Sequence, residues 1–496
     1  MTLREFRFAL TLFALVALPV LLGACTAMNP ATGQSEVTFV SPADEKKIGQ
    51  SQHPNVLAQF GGPYDEAAIG GYVAALGGRL AKVSELPDIG WTFTVLNSEV
   101  VNAFALPGGY VYVTRGLLAL ADDEAQLAGV LAHEIGHVTA RHGAQRQTRA
   151  IGVSIFSAAA AILSGSSAVG QLGSQVGGLY LAGYSRDQES QADALGIRYL
   201  VRAGYPPDAM AGFLKKLGDQ SALARKIAGK DEDEQFSWAQ THPLTSERVA
   251  DATKLATESG VEGPRDPGRQ RYLSEIDGLL YGDDPKQGLV RGREFVHPDL
   301  GFRFAVPPGY MLQNSPAAVV AGSKAGDVVL FDRERDPEVA KRYAGDMARY
   351  MRRNWLRDYS LEDFRLGPVP GLPSATGRLT GTLRNQPVVV DLVAVELRPG
   401  EIYRFQFVTA SRRYRGLERA IEDSYESFRG LSAAEASAVE PLRVRLQETR
   451  AGRTLADYAA LLPFDDFKIE RLAVLNGLAP GTGALPPVIK TIQAGP

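Results

Sequence analysis

At 496 residues the chain is longer than one ordinary domain and predicts two to four. Its 45% hydrophobic and 22% charged residues describe a folded protein, with 52 glycines and 29 prolines spread as turns rather than gathered in one disordered tract. A formal net charge of −3, with no arginine–aromatic stripe, excludes a basic field for nucleic acid and predicts no such partner.

The N-terminus reads as a targeting segment. Arg4 and Arg7 precede an uncharged apolar run, Phe8–Leu22, too short for a comfortable membrane span. It ends in Leu22-Gly23-Ala24-Cys25, and Cys25 is the only cysteine. This resembles a bacterial lipobox. The resemblance implies a lipoprotein signal over residues 1–25, lipidation of Cys25 and membrane attachment through several acyl chains. Thr26, where some lipoproteins have aspartate, implies sorting to the outer membrane of a Gram-negative cell, facing the periplasm. A mature chain without a free thiol suits an oxidising compartment.

Residues 26–262 read as one domain. Asn29-Pro30-Ala31-Thr32-Gly33 is a turn-rich tether, and Ser41 is a candidate cap for a helix. Asp65–Val83 is helical, with Ile69, Tyr72, Val73, Leu76 and Leu80 on one side. Trp91–Asn97 alternates as a strand, and Asn102–Thr114 reads as strand, Pro107-Gly108-Gly109 turn and strand. A strand at the border of a cleft can pair with an extended peptide, which makes Asn102, Ala103, Phe104 and Ala105 candidate substrate-binding residues.

The chemistry is concentrated in Asp122–Arg149. Asp122, Asp123 and Glu124 open a helix, and Leu127, Val130, Leu131, Ile135 and Val138 follow at helical spacing. Within it stands His133-Glu134-Ile135-Gly136-His137. Histidines four apart share a helix face, so both rings can reach one zinc ion, with Glu134 as the candidate general base. Two imidazoles leave a zinc site unfinished. Arg186–Ala203 is a second helix, stopped by Gly204-Tyr205-Pro206-Pro207, with Glu189 and Asp193 on one face. Glu189 is the expected third ligand, and Asp193 would orient a ligand histidine through its other ring nitrogen. His142 is off register for the third histidine of a metzincin and reads as a helix-surface or structural residue. His53 and His297, each before a proline, receive no role. Ala150–Tyr184, rich in Gly, Ala and Ser, reads as a buried or cleft-lining helix over Ala150–Leu163 with later glycines that permit a mobile loop, and Lys226–Glu234 as a solvated loop.

The full set, His133-Glu134-Ile135-Gly136-His137, Glu189-x-x-x-Asp193, His242-Pro243 and Arg248, resembles the gluzincin metallopeptidases of the HtpX and CAAX prenyl protease family. Asn102–Gly109 matches the same family, and the likeness covers about residues 29–260. It is nearest to periplasmic members concerned with outer-membrane protein quality control. The resemblance implies one zinc per subunit and hydrolysis of unfolded or misassembled envelope proteins. It further implies that His242 approaches the zinc and that Arg248 stands by the cleft. Either could donate to the developing oxyanion, or His242 could close the open position and make the enzyme latent.

Residues 263–292, rich in Gly, Pro and Asp, read as a linker with one short helix. Strand-like runs at Phe302–Val306, Val328–Asp332, Val388–Glu396 and Ile402–Thr409, with helical runs at Pro337–Leu356 and Arg412–Ser427, predict an α+β domain over 293–430. It resembles PsbP-like folds and shows no catalytic cluster. Pro441–Gln493 resembles a LysM module of βααβ order, which implies peptidoglycan as a partner. Arg453 and Pro487 depart from that pattern. The fold class is therefore α+β: a mainly helical zincin-type domain with a small sheet, an α+β domain and a small βααβ module. The competing class is an inactive scaffold that binds envelope assembly partners or cell wall.

Overall fold

A computed structural model describes residues 25–148, 183–229, 242–261, 266–315, 318–383 and 385–495. The targeting run before Cys25, the glycine-rich stretch 150–182 and the charged residues 230–234 lie outside the described residues. The chain packs as two units. One draws on the chain up to Ala58, Gly62–Tyr281 and Arg443–Gln493, the other on Gln59–Gly61, Gly282–Leu442 and the last residues.

The first unit begins with β1 (Cys25–Met28) and β2 (Ser35–Thr38), paired antiparallel. They are not a loose tether: buried Asn29 donates through Nδ2 to Ala140 O at 3.1 Å. Helices α1 (Pro42–Gln59) and α2 (Ala67–Lys82) follow. Next come β3 (Thr92–Leu96), β4 (Ala103–Leu106) and β5 (Tyr110–Thr114), in the order β3-β5-β4. β3 runs parallel to β5 and β4 antiparallel to it, so β4 is an edge strand. Helix α3 (Arg115–Leu120) leads into α4 (Glu124–Thr139), whose N-cap Asp123 accepts from Gln126 N at 2.8 Å. All of α4 except Gln126 and Val138 is buried, as expected for a helix surrounded by others rather than lying on a surface.

Helix α5 (Arg186–Ala203) starts with a Ser185–Gln188 capping box and stops at Gly204, which has a positive φ of 88°. It crosses α4 closely because both helices carry glycine at the contact. A Cβ on Gly136 would lie 3.1 Å from Ala192 O; one on Gly196 would lie 3.1 Å from His133 N and 2.6 Å from Met210 Cε. Helices α6 (Ala209–Ala228), α7 (Ser246–Glu258) and α8 (Arg269–Ile276) and the short β6 (Leu280–Tyr281) continue this unit. The expected linker is therefore partly core: Tyr272, Leu273 and Ile276 are buried, Tyr272 OH donates to Leu118 O, and Pro267 O accepts from Ala125 N at 2.9 Å.

The second unit holds two sheets. β7 (Leu289–Arg291), β8 (Glu294–His297) and β9 (Phe302–Ala305) join a short late strand. β10 (Tyr310–Asn314), β11 (Val319–Ser323), β12 (Val328–Arg333), β13 (Glu362–Leu366), β14 (Ser374–Leu383), β15 (Gln386–Glu396) and β16 (Ile402–Ala410) form an antiparallel sheet in the order β10-β11-β12-β16-β15-β14-β13. Alternation along β15 feeds two cores: Val393 and Val395 enter one with Phe331, Phe405 and Phe428, while Leu392 and Ala394 enter the other with Tyr343, Met347 and Tyr350. The helical run expected over 337–356 is broken into α9 (Pro337–Arg342), α10 (Met347–Tyr350) and a π-turn, with Gly345 at φ 77° between the first two. α11 (Ser411–Glu426) and α12 (Ala433–Ser437) follow, and β17 (Arg429–Gly430) between them completes the smaller sheet.

The chain then returns to the first unit with β18 (Leu442–Glu448), α13 (Leu455–Ala459), α14 (Lys468–Leu475) and β19 (Val488–Ala494), a βααβ order whose strands join β6 in one sheet. Buried Lys490 donates to three carbonyls at the end of α3: Ala119 at 3.0 Å, Leu120 at 2.9 Å and Ala121 at 2.6 Å. Among the described residues no helix is long and apolar enough to cross a membrane.

Candidate metal centre

Four side chains converge, from α4, from α5 and from His242 just before α7. His133, His137, Glu189 and His242 are all buried and place one donor atom each within 4.8 Å of the others. His133 Nε2 lies 3.0 Å from His137 Nε2, 3.6 Å from Glu189 Oε2 and 3.4 Å from His242 Nδ1. Glu189 Oε1 lies 3.6 Å from His137 Nε2 and 3.0 Å from His242 Nδ1. A tetrahedron with metal–ligand arms of the zinc type has edges of about 3.4 Å. Three imidazole nitrogens and a carboxylate at these spacings therefore fit one zinc ion.

Electrostatics agree with that fit. Burial opposes a charge on His133, but Asp193 and Glu189 outweigh it and raise its pKa to about 9. A pocket that draws a proton onto a buried imidazole also draws a metal cation. Burial opposes ionisation of Glu189 too, yet His242 and His133 hold its carboxyl well below the usual range. Burial, then the neighbouring His133, keeps His137 neutral, as a ligand must be.

Glu134 lies beside the cluster. Its two carboxylate oxygens are buried and have no hydrogen-bond partner among the described residues, and His242 Nε2 stands 3.5 Å from Oε1. Burial pushes its pKa up, which suits a group that must take and return a proton near neutrality.

A second layer holds the donors. Asp193 Oδ1 stands 2.9 Å from His133 Nδ1. Arg248 grips Asp193 with Nε and Nη2 at 2.9 and 2.8 Å, reaches Glu189 Oε2 through Nη1 at 2.7 Å, and donates to Pro243 O at 3.0 Å. Arg248, expected by the cleft with an oxyanion role as one possibility, directs its fork to two carboxylates and the Pro243 carbonyl.

Three residues escaped sequence reasoning or were left open by it. Of the two readings of His142, helix-surface or structural, its burial fits the structural one. It is fully buried, with Nδ1 2.8 Å from His137 Nδ1 and Nε2 2.8 Å from Gln191 Oε1, and burial lowers its pKa to about 4. Gln191 lies between Glu189 and Asp193 in sequence, a placement that alone signals nothing. Tyr184 stacks on His137 with centroids 3.9 Å apart, and no spacing rule links it to the motif. Asn102, Ala103, Phe104 and Ala105 lie at or just before the edge strand β4; Asn102 O accepts from Thr114 N at 3.0 Å and Phe104 stacks on Tyr112. The side chain of Cys25 is outside the description.

A buried helix bearing two histidines and a glutamate, completed by a carboxylate from a neighbouring helix, defines a zinc metallopeptidase. Residues 69–256 match peptidase family M48. The chain is 32% identical over 240 residues to the mitochondrial metalloendopeptidase OMA1 of Schizosaccharomyces pombe, covering 47% of this chain and 67% of that protein. It is 34% and 33% identical to the beta-barrel assembly-enhancing proteases of Yersinia pestis and Escherichia coli (strain K12), in each case over 38% of this chain and 39% of the relative. The chain belongs to peptidase family M48, while spanning about two fifths of the length of those bacterial relatives. The solution structure of cyanobacterial PsbP (CyanoP) from Synechocystis sp. PCC 6803 matches 29% of this chain and 98% of its own, at 14% identity and a TM-score of 0.21.

Proposed function

We propose that this chain is a zinc-dependent endopeptidase of the periplasm, anchored through Cys25 to the outer membrane, that hydrolyses unfolded or misassembled envelope proteins. The carrying observation is the convergence of His133, His137 and Glu189 beside the buried carboxylate of Glu134. The first three residues would hold one zinc ion. When bound, zinc supplies Lewis acidity to a peptide carbonyl and makes a water molecule easier to deprotonate. Glu134 accepts that proton and returns it to the leaving amine. Asp193 orients His133, and Arg248 positions Asp193 and Glu189. β4, last in its sheet, would pair with an extended substrate backbone at Asn102–Ala105, residues that are buried here, and such pairing favours unfolded chains over folded ones. The likeness to proteases named for β-barrel assembly supports an envelope substrate and a quality-control role.

The placement of His242 favours latency over an oxyanion role. Its Nδ1 stands 3.0 Å from Glu189 Oε1 and 3.4 Å from His133 Nε2, where it would be a fourth ligand, and its Nε2 faces Glu134. There it would fill the position that substrate and water need. His242→Ala is expected to raise peptidase activity several-fold, and loss of turnover would refute latency. The βααβ segment at 441–493 supports a LysM-like module, with peptidoglycan as its partner, tested by a pulldown on purified sacculi. A scaffold without chemistry is the less favoured reading, because every group that hydrolysis needs is present.

The deciding experiment measures bound zinc and cleavage of an unfolded protein for wild type and Glu134→Gln. Zinc retained at one per chain with cleavage reduced by about 10²–10⁴-fold is expected. Equal cleavage by both would remove Glu134 as the base.

A further inference from the structure

Behind His137 stands a relay that hydrolysis itself does not require. His137 turns Nε2 toward the donor cluster and Nδ1 toward His142 Nδ1 at 2.8 Å. The other nitrogen of His142 lies 2.8 Å from Gln191 Oε1. Only one proton fits between two facing ring nitrogens. For His137 to offer an Nε2 lone pair to a metal, its proton must sit on Nδ1. His142 Nδ1 then accepts, the His142 proton is on Nε2, and Gln191 Oε1 accepts that in turn. The reverse order would protonate His137 Nε2 and close it to a metal.

The backbone delivers His142 at a cost. Helix α4 ends at Thr139, and Arg141 then takes a left-handed conformation with φ 55°, which non-glycine residues rarely adopt. That turn swings His142 back onto His137. Arg141 is gripped from outside the helix: Nε donates to the Glu45 carboxylate at 3.2 and 3.3 Å, and Nη2 to Val40 O at 2.8 Å. Asn29 closes the preceding carbonyl, Ala140 O.

We propose that His142 is a positioning residue for His137: with Gln191 it fixes the tautomer that leaves His137 Nε2 available to zinc, and the left-handed Arg141 is the turn that delivers it. This rests on the zinc-site reading. The two ligand histidines are then held differently, His133 by the carboxylate of Asp193 and His137 by a neutral relay. A carboxylate behind each would add negative charge to a site that already holds Glu189 and Glu134.

The test compares the zinc-loaded full chain as wild type, His142→Phe and His142→Asn. Phenylalanine keeps a ring and loses the acceptor; asparagine keeps an acceptor oxygen. Zinc affinity is read by competition with a chromophoric chelator, and ring protonation by ¹⁵N chemical shifts in histidine-labelled protein. His142→Phe is expected to weaken zinc binding on the order of 10- to 100-fold, with His142→Asn recovering most of the loss. Wild-type affinity in His142→Phe, or no recovery in His142→Asn, would overturn the proposal. Should the phenylalanine variant not fold, the wild-type spectrum decides: a protonated Nδ1 on His142 overturns it without any variant. A wild type that takes up no zinc would overturn the zinc-site reading itself.

Discussion

A buried imidazole that accepts a hydrogen bond is committed to its neutral form. His297, at the end of β8, accepts from Leu300 N through Nδ1 at 3.2 Å. Burial, only partly offset by Asp299, lowers its pKa from 6.5 to about 4. Above pH 6.5 neither folded nor unfolded chain protonates it. Between 6.5 and 4 the unfolded chain binds a proton that the folded one refuses, so stability falls as pH falls through that window. Below about 4 both bind it and the slope ends. His297→Asn, which keeps an acceptor and cannot charge, is expected to lose less stability than wild type between pH 7 and pH 5 in urea unfolding. Parallel losses would refute this account. At the same scale, His142 shows where spacing rules stop. Five residues past His137, it lies on another helix face in any straight helix; only the left-handed Arg141 turns it inward.

At the scale of elements, the site depends on how closely α4 and α5 approach. Local pattern predicts both helices, their caps and their stops, because capping residues and apolar spacing are local properties. Their separation is not local. Gly136 and Gly196 let the helices meet, and a Cβ at Gly196 would press on the backbone N of His133. Gly196→Val is expected to cost about 1–3 kcal/mol through overpacking and to weaken zinc binding by displacing His133 from Glu189 and Asp193. Chemical denaturation and chelator competition check both effects, and wild-type values in both would refute the role assigned to Gly196. The strand β14 escaped sequence reading for a related reason. Ser374–Leu383 is rich in small and polar residues, and its pairing with β13 and β15, rather than any apolar alternation, makes it a strand.

At the scale of the first unit, the last fifty residues are bound into the peptidase. Lys490 and Lys216 meet Asp122 just before the N-cap of α4, with Lys490 Nζ 3.4 Å from its Oδ1. Lys216 also donates to Leu475 O at 3.0 Å. Burial opposes the charge on Asp122, but the two lysines hold its carboxyl below the usual range. Lys490→Ala would leave three carbonyls without their donor and Asp122 with one lysine. It is expected to destabilise the peptidase unit by about 3 kcal/mol, as leaving buried acceptors without their donor does. Urea unfolding followed by loss of zinc measures it; an unchanged midpoint would mean that the segment is an independent appendage.

Local sequence sufficed for the helices around the site and for the chemistry of the motif, because helix periodicity, caps and the four-residue spacing of two histidines act over a turn or two. It also singled out Glu189 and Asp193, whose residue types suit a zinc site, while His242 came from the family resemblance alone. Whether those groups meet depends on long-range contacts: two glycines at a helix crossing, a guanidinium that holds two carboxylates, and a lysine from the far end of the chain under the start of α4. The inward turn of His142 belongs to the same class. Its backbone conformation is unfavourable by itself, and Glu45, Val40 and Asn29, about a hundred residues earlier, hold it in place.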